Sequence, residues 1–113
     1  QGCKPLAHLP HTYANGVITV RKSDFAIDAR YAIIKVAGLP APIYLSRTEG
    51  GEYTALLMLC THRECEVRPY GAILHCPCHG SEFDAAGNVL QGPANEPLKE
   101  FRTTSDTENI YIQ

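Results

Sequence analysis

The chain has 113 residues, which is the length of one domain. Hydrophobic residues make up 44% of it and charged residues 19%, a composition that excludes an intrinsically disordered chain. Ten Lys and Arg against twelve Asp and Glu give a net charge of −2, and no basic stripe stands out, so we expect no nucleic-acid binding. The longest clean apolar run, residues 55–60, is far shorter than the roughly 20 residues of a membrane span. We expect membrane attachment only through a lipid or a segment upstream.

The first residues of the chain predict an extended arm. Residues 1–11 contain Pro5 and Pro10 and show no periodic pattern. Cys3 follows Gly2 and precedes a Lys-Pro pair, which is similar to a bacterial lipoprotein just after its signal. Cys3 is therefore a candidate for lipid attachment, and several acyl chains would suffice as an anchor. The alternative is an unpaired thiol.

The sequence beyond the arm predicts short strands. Asn15-Gly16 is a tight-turn signal ahead of a β-branched run at 17–20. Residues 49–52 separate two apolar runs, which predicts a hairpin. The further runs predicted as strands are 31–37, 43–48, 53–59 and 109–112. Because Gly and Pro punctuate these runs and no helical period appears, the pattern predicts an all-β domain.

Four of the five cysteines lie between residues 60 and 78. Cys60 and His62 form one Cys-His pair, and Cys76 and His79 form a second pair on a later loop. Each pair follows a predicted strand, so a metal could bind between the loop tips and take one thiolate and one imidazole from each. The segment 60–97 has few β-branched residues, and we expect its loops to be held by something other than an apolar core.

Several sites fit this set of donors. Two thiolates and two imidazoles suit a tetrahedral zinc ion, and they also suit a [2Fe–2S] cluster in which two His replace two Cys on one iron. Zinc fingers group like ligands, whereas each pair here contains one Cys and one His. This alternation favours the cluster, whose two irons need different ligands. Disulfides without metal would leave His62 and His79 without a role at their spacing.

The sequences around both pairs resemble the two cluster-binding boxes of Rieske [2Fe–2S] proteins. The boxes read CTHREC at 60–65 and CPCHGS at 76–81, and GPANEP at 92–97 resembles the family's Pro loop. An additional Cys in each box is typical of the high-potential branch, found in quinol:cytochrome c and plastoquinol oxidoreductases. The resemblance implies a single domain over 1–113, with an antiparallel β-sandwich base and a small rubredoxin-like cluster-binding subdomain at 58–97.

The resemblance also assigns the ligands of a [2Fe–2S] cofactor. It implies that Cys60 and Cys76 bind one iron and that His62 and His79 bind the other. Neutral imidazoles in place of thiolates leave the cluster less negative, so it accepts an electron more readily. Each ring keeps one N–H near solvent, so we expect electron uptake to be coupled to proton uptake at alkaline pH.

The remaining box residues receive supporting roles from the same resemblance. It implies a disulfide between Cys65 and Cys78 that clamps the two loops, and a hydrogen bond from Ser81 to a bridging sulfide. A disulfide indicates an oxidising compartment, so we expect a periplasmic or extracytoplasmic location. We expect the acidic residues at 64, 66 and 82 to be solvated loop edges and His75 to be a strand residue.

Two departures from the family pattern bear on function. Phe83 stands where high-potential members usually have Tyr, so it has no hydroxyl to donate to a ligand sulfur, and we expect a lower potential. Arg63-Glu64 replaces the usual Leu-Gly, and this charged pair indicates a polar protein partner instead of a quinol site.

The sequence thus predicts a one-electron carrier that is not an enzyme on its own. Its partner would be a redox protein such as a cytochrome or an oxidoreductase subunit. The alternatives are a Rieske subunit of a quinol-oxidising or molybdenum oxidoreductase complex, a ferredoxin that feeds an oxygenase, and a zinc-binding module.

Overall fold

Twelve short strands and one 3₁₀ turn (Lys22–Asp24) make up the regular structure of the computed structural model, which describes residues 6–113. In chain order the strands are β1 (Thr12–Ala14), β2 (Val17–Arg21), β3 (Tyr31–Ile34), β4 (Ile43–Arg47), β5 (Tyr53–Leu57), β6 (Arg68–Tyr70), β7 (Ile73–His75), β8 (Glu82–Asp84), β9 (Val89–Gln91), β10 (Glu100–Phe101), β11 (Thr103–Ser105) and β12 (Asn109–Ile112). They form three antiparallel sheets, in the orders β1-β2-β12-β11, β10-β5-β4-β3 and β6-β7-β8-β9. The prediction of an all-β fold is confirmed.

The predicted turns lie where the strands meet. Asn15 and Gly16 have φ of 54° and 79°, the left-handed pair that a two-residue hairpin between β1 and β2 requires. The hairpin of β4 and β5 pairs Ile43 with Leu57 and Arg47 with Tyr53, so the hairpin around residues 49–52 is confirmed. The closing strand is β12, as predicted.

The first two sheets pack face to face and enclose an apolar core. The alternate residues of β2, β12, β3, β4 and β5 point into it, as the period of two in a strand dictates. Its buried members are Leu9, Ile18, Val20, Phe25, Ala32, Ile34, Val36, Ile43, Leu45, Ala55, Ile110 and Ile112. This is the β-sandwich base that the sequence predicted.

A second apolar core lies between the middle sheet and the third sheet. The opposite faces of β3, β4 and β5 supply Ile33, Tyr44 and Leu56, so the middle sheet is buried on both sides. The other buried members are Met58, Cys60, Val67, Leu74, Cys76, Phe83, Ala94 and Leu98. The expectation that the loops lack an apolar core is therefore wrong. Strands of three residues contribute single inward side chains, which make no apolar run in the sequence.

The described part of the N-terminal arm pairs with the edge of the middle sheet. The Leu9 N–H donates to the Ile33 carbonyl at 2.8 Å, and the Ile33 N–H donates to the Ala7 carbonyl at 2.8 Å. His8 forms a parallel bridge with Ile33, and Leu9 is buried in the first core. Cys3 lies outside the described residues. Within residues 6–113 no helix is long and apolar enough to cross a membrane.

Candidate metal centre

The first ligand loop (residues 60–65) closes on itself directly after the middle sheet. The Cys60 N–H donates to the Cys65 carbonyl at 2.7 Å, and the Glu64 N–H donates to the Cys60 carbonyl at 2.8 Å. Glu64 has φ of 58°, which lies in the left-handed region that non-glycine residues rarely adopt. The turn aims the side chains of residues 60 and 62 at the second loop.

The second ligand loop (residues 76–81) repeats the same backbone pattern between β7 and β8. The Cys76 N–H donates to the Ser81 carbonyl at 2.8 Å, and the Gly80 N–H donates to the Cys76 carbonyl at 3.0 Å. Gly80 occupies the left-handed position with φ of 84°. The two ligand loops thus make the same two backbone hydrogen bonds at equivalent positions, although they share little sequence beyond Cys and His.

The two predicted imidazole ligands meet at the loop tips. The ring centroids of His62 and His79 are 5.2 Å apart, and the ring planes are nearly perpendicular at 89°. Both histidines are exposed, whereas Cys60 and Cys76 are each 1% exposed. The arrangement places two sulfurs inside and two rings at the surface.

The thiols of Cys60 and Cys76 influence each other's pKa and differ in acidity. Burial raises the pKa of Cys60, but hydrogen bonds from the His62 N–H, the Cys76 thiol, the Arg63 N–H and Ser81 outweigh burial, so the pKa is lowered. Burial raises the pKa of Cys76, and its bond to the Cys60 thiol adds to that rise. Surroundings that lower the pKa of one thiol are suited to a thiolate.

The disulfide between Cys65 and Cys78 joins the two ligand loops. Its two sulfurs lie within 4.8 Å of each other and of the Cys76 sulfur. Because Cys65 and Cys78 are bonded to each other, Cys76 is the member of this group that can bind a metal. Cys60 and Cys76 are free thiols.

The Pro loop (residues 92–97) is tied to each ligand loop by one hydrogen bond. The Ala94 N–H donates to the Ser81 Oγ at 2.9 Å, and the Thr61 Oγ1 donates to the Glu96 carbonyl at 2.7 Å. Ser81 is fully buried, and its hydroxyl helps to lower the pKa of Cys60. Sequence reasoning missed Thr61, whose position between Cys60 and the first histidine was the available signal.

Tyr44 is a second residue that sequence reasoning missed. Its buried hydroxyl donates to the Gly71 carbonyl at 2.6 Å, which fastens the turn between β6 and β7 to the middle sheet. Burial, and then the charge of Tyr31, raise the pKa of Tyr44 far above its ordinary value. The two tyrosine rings stack with centroids 5.5 Å apart. Nothing in the sequence pattern marks Tyr44 apart from its place in an apolar strand.

One of the predicted loop edges is a strand residue. Glu82 lies in β8, is half-buried, and bonds to the Nδ1 of His75 at 3.0 Å. The expectation that it is a solvated loop edge is therefore wrong, because the strand β8 begins directly after the second ligand loop. Glu64 and Glu66 are exposed, and His75 lies in β7, as expected.

The donor set fits a centre with two kinds of ligand. Two buried sulfurs lie on one side and two exposed imidazoles on the other, and a Rieske [2Fe–2S] cluster takes such a set. The side chains that converge here are those that the sequence singled out. The all-β fold and this site define the class of protein.

The chain belongs to the Rieske [2Fe–2S] domain family, whose match covers residues 17–102. The domain binds a [2Fe–2S] cluster, and it is homologous to the Rieske subunits of cytochrome b6-f and b-c1 complexes.

Three relatives illustrate the range of this similarity. The cytochrome b6-f complex iron-sulfur subunit 2 of Trichormus variabilis is 33% identical over 109 residues, which are 86% of this chain and 61% of that protein. The mitochondrial Rieske subunit of the cytochrome b-c1 complex of Bos taurus is 35% identical over 82 residues, which are 66% of this chain and 30% of that protein. The crystal structure of the plasma membrane Rieske protein PetC3 from Synechocystis PCC 6803 matches with a TM-score of 0.63 at 30% identity, covering 74% of this chain and 85% of that one.

Proposed function

We propose that Cys60 and Cys76 bind one iron of the cluster, that His62 and His79 bind the other, and that the domain carries single electrons outside the cytoplasm. The observation that carries this proposal is that two buried, free thiols lie on the same two loops as two exposed imidazoles whose ring centroids are 5.2 Å apart. When bound, the cluster supplies a centre that takes up and releases one electron.

The exposed rings of His62 and His79 form the route between the site and a partner. Their position at the loop tips lets a redox protein approach them directly, while the buried sulfurs stay out of contact with water. A ring that binds iron through one nitrogen holds a proton on the other. That proton is lost more readily from the oxidised protein, so we propose that electron uptake and proton uptake are coupled above neutral pH.

The disulfide between Cys65 and Cys78 supports an extracytoplasmic location. Structural disulfides persist in oxidising compartments and are rare in the cytosol. The periplasm or another extracytoplasmic space is therefore the proposed location.

The exposed charged residues around His62 support a protein partner in preference to a quinol. Arg63 and Glu64 are exposed beside His62, and Glu96 is exposed on the Pro loop. Charged groups at a rim favour association with a polar, charged surface and would be costly to bury against an apolar quinol. We propose a cytochrome or an oxidoreductase subunit as the partner.

The ligand assignment is tested by analysis of iron and acid-labile sulfide in single variants. Cys60→Ser, Cys76→Ser, His62→Ala and His79→Ala are each expected to lose the cluster and its colour. His8→Ala is the control, because His8 is exposed on the arm and should leave iron and sulfide at the wild-type level. Retention of a normal cluster in any of the four ligand variants would exclude that residue as a ligand.

Three measurements separate the alternatives, and the first is the same analysis of metal and sulfide. Zinc without iron or sulfide in the wild-type protein would support a zinc-binding module and overturn the proposal. A titration that finds Cys65 and Cys78 as free thiols would favour the oxygenase ferredoxin, because those proteins usually lack this Cys pair. Reduction of the isolated domain by a quinol would favour a quinol-oxidising complex.

A further inference from the structure

The stem of the second ligand loop carries a side-chain hydrogen bond that the ligand set does not explain. We propose that His75 and Glu82 form a positioning pair, which fixes the second ligand loop and thereby raises the reduction potential of the domain. This inference rests on the proposed function, since it concerns the same site. The pair acts through its neighbours and touches neither the electron donor nor the acceptor.

The pair lies directly across the base of the loop. His75 is the last residue of β7 and Glu82 the first of β8, and the two residues are direct partners in the ladder. Their side chains meet with 3.0 Å between Nδ1 and Oε2, and each is 34% exposed. A hydrogen bond to a charged carboxylate at this burial is stronger than a neutral one. The stem is therefore tied twice, once by the backbone and once by these side chains.

Each partner is bonded covalently to a residue of the site. Cys76 follows His75, and Ser81 precedes Glu82. The Cys76 N–H donates to the Ser81 carbonyl at 2.8 Å, and the Cys76 and Ser81 side chains both lie close enough to Cys60 to affect the pKa of its thiol. A twist of the stem would therefore move two groups that face the Cys60 sulfur.

The first ligand loop lacks an equivalent tie. Its stem pair is Leu59 with Glu66, in which one side chain is apolar and cannot bond to the carboxylate. The second loop has Gly80 at its left-handed position, and glycine leaves the backbone more freedom than the Glu64 of the first loop. The side-chain tie therefore restricts the loop whose left-handed position is a glycine.

The His75 ring also contacts an aromatic ring of the neighbouring strand. The ring of Tyr70, on the neighbouring strand β6, meets it edge-on with centroids 6.2 Å apart. This contact limits the rotation of the imidazole, so that Nδ1 stays directed at Glu82.

Replacing Glu82 has two effects on the reduction potential, and they have opposite signs. Removing a negative charge near the site favours electron uptake and raises the potential. Loosening the loop weakens the hydrogen bonds that stabilise the more negative, reduced state, and this lowers the potential. The sign of the change therefore distinguishes a positioning role from a charge effect.

The experiment measures midpoint potentials at one fixed pH, together with the EPR spectrum of the reduced protein. Glu82→Gln removes the charge but keeps an acceptor for His75, whereas Glu82→Met removes both. We expect the Met variant to have the lower potential of the two and a broader EPR signal. His75→Phe, which keeps a ring against Tyr70, should lower the potential relative to wild type. Glu66→Gln is the matched charge control and should not lower it.

The decisive comparison repeats the Glu82 variants in the His75→Phe background. A positioning pair predicts that the Gln and Met variants then have the same potential, because the bond is already lost. Equal potentials in the wild-type background, or the same difference in both backgrounds, would overturn the inference. Either result would leave the proposed function intact, which fails only if the wild-type protein holds no cluster. Because Glu82→Gln preserves the hydrogen bond, it serves as the folded reference.

Discussion

Glu64 adopts a backbone conformation that suits glycine better than glutamate. Its φ is 58°, and the equivalent position of the second ligand loop is occupied by Gly80 with φ of 84°. A side chain in the left-handed region costs roughly 1–2 kcal/mol, because its Cβ approaches the carbonyl oxygen. The first ligand loop therefore carries strain that its partner loop avoids.

Replacing Glu64 by Gly should relieve this strain. We expect Glu64→Gly to raise the free energy of unfolding of the cluster-bound protein by about 1 kcal/mol, measured by denaturant titration. Glu66→Gly is the matched control, since it removes the same side chain at a negative φ and should destabilise the protein. A destabilised Glu64→Gly variant would show that the side chain contributes more than its backbone conformation costs.

Phe83 is the residue at which adding a single hydroxyl group should change the reduction potential of the domain. Its ring is fully buried in the second core, together with Cys60 and Cys76. In Phe83→Tyr we expect a hydrogen bond to a ligand sulfur to stabilise the reduced state and to raise the midpoint potential by tens of millivolts. The control is Phe101→Tyr, because Phe101 packs against the first core. An unchanged potential in Phe83→Tyr would show that the ring does not face the cluster.

At the scale of single elements, the turn between β11 and β12 depends on one carboxylate. Asp106 accepts hydrogen bonds from the Tyr111 hydroxyl at 2.6 Å, the Asn109 N–H at 2.7 Å and the Glu108 N–H at 3.0 Å. These bonds, that of Tyr111 first, hold the pKa of Asp106 below its usual range. A lowered pKa in the folded state means that the ionised carboxylate stabilises the fold.

This contribution should depend on pH with a defined sign. It is complete above the pKa of an unfolded Asp and is lost as the pH falls through the lowered pKa of the folded state. We expect Asp106→Ala to unfold at a lower urea concentration than wild type at neutral pH, and the difference to shrink on acidification. Asp28→Ala, at an exposed site, should show no such change. A difference for Asp106→Ala that grows toward acid pH would contradict the assignment.

At the scale of the whole molecule, the middle sheet connects the sandwich base to the site. One of its faces packs in the first core and the other in the second core, which contains Cys60 and Cys76. The proposed sulfur ligands are therefore held by packing against β3, β4 and β5 as well as by their own loops. The bounds 58–97 of a separate subdomain stay a prediction, since the cores share this sheet.

The parts of this arrangement that the sequence predicts are those with local signals. The Asn15-Gly16 turn, the hairpin around 49–52 and the Cys-His boxes each depend on residues close together in the chain. The second core and the pairing of the arm with β3 depend on contacts between distant segments, so no local pattern reveals them. The partner of Glu82 likewise follows from the register of three-residue strands, which is set by packing.

We propose that this domain carries one electron at a site with two sulfur and two imidazole ligands, and that the exposed imidazoles take part in proton exchange. The most direct test is a redox titration of the wild-type protein followed by EPR, repeated from about pH 6 to about pH 10. We predict a one-electron transition with an EPR signal in the reduced state and a midpoint potential that falls as the pH rises above neutrality. A potential that stays constant over this range would contradict the proton exchange, and a protein without an EPR signal on reduction would contradict the one-electron site.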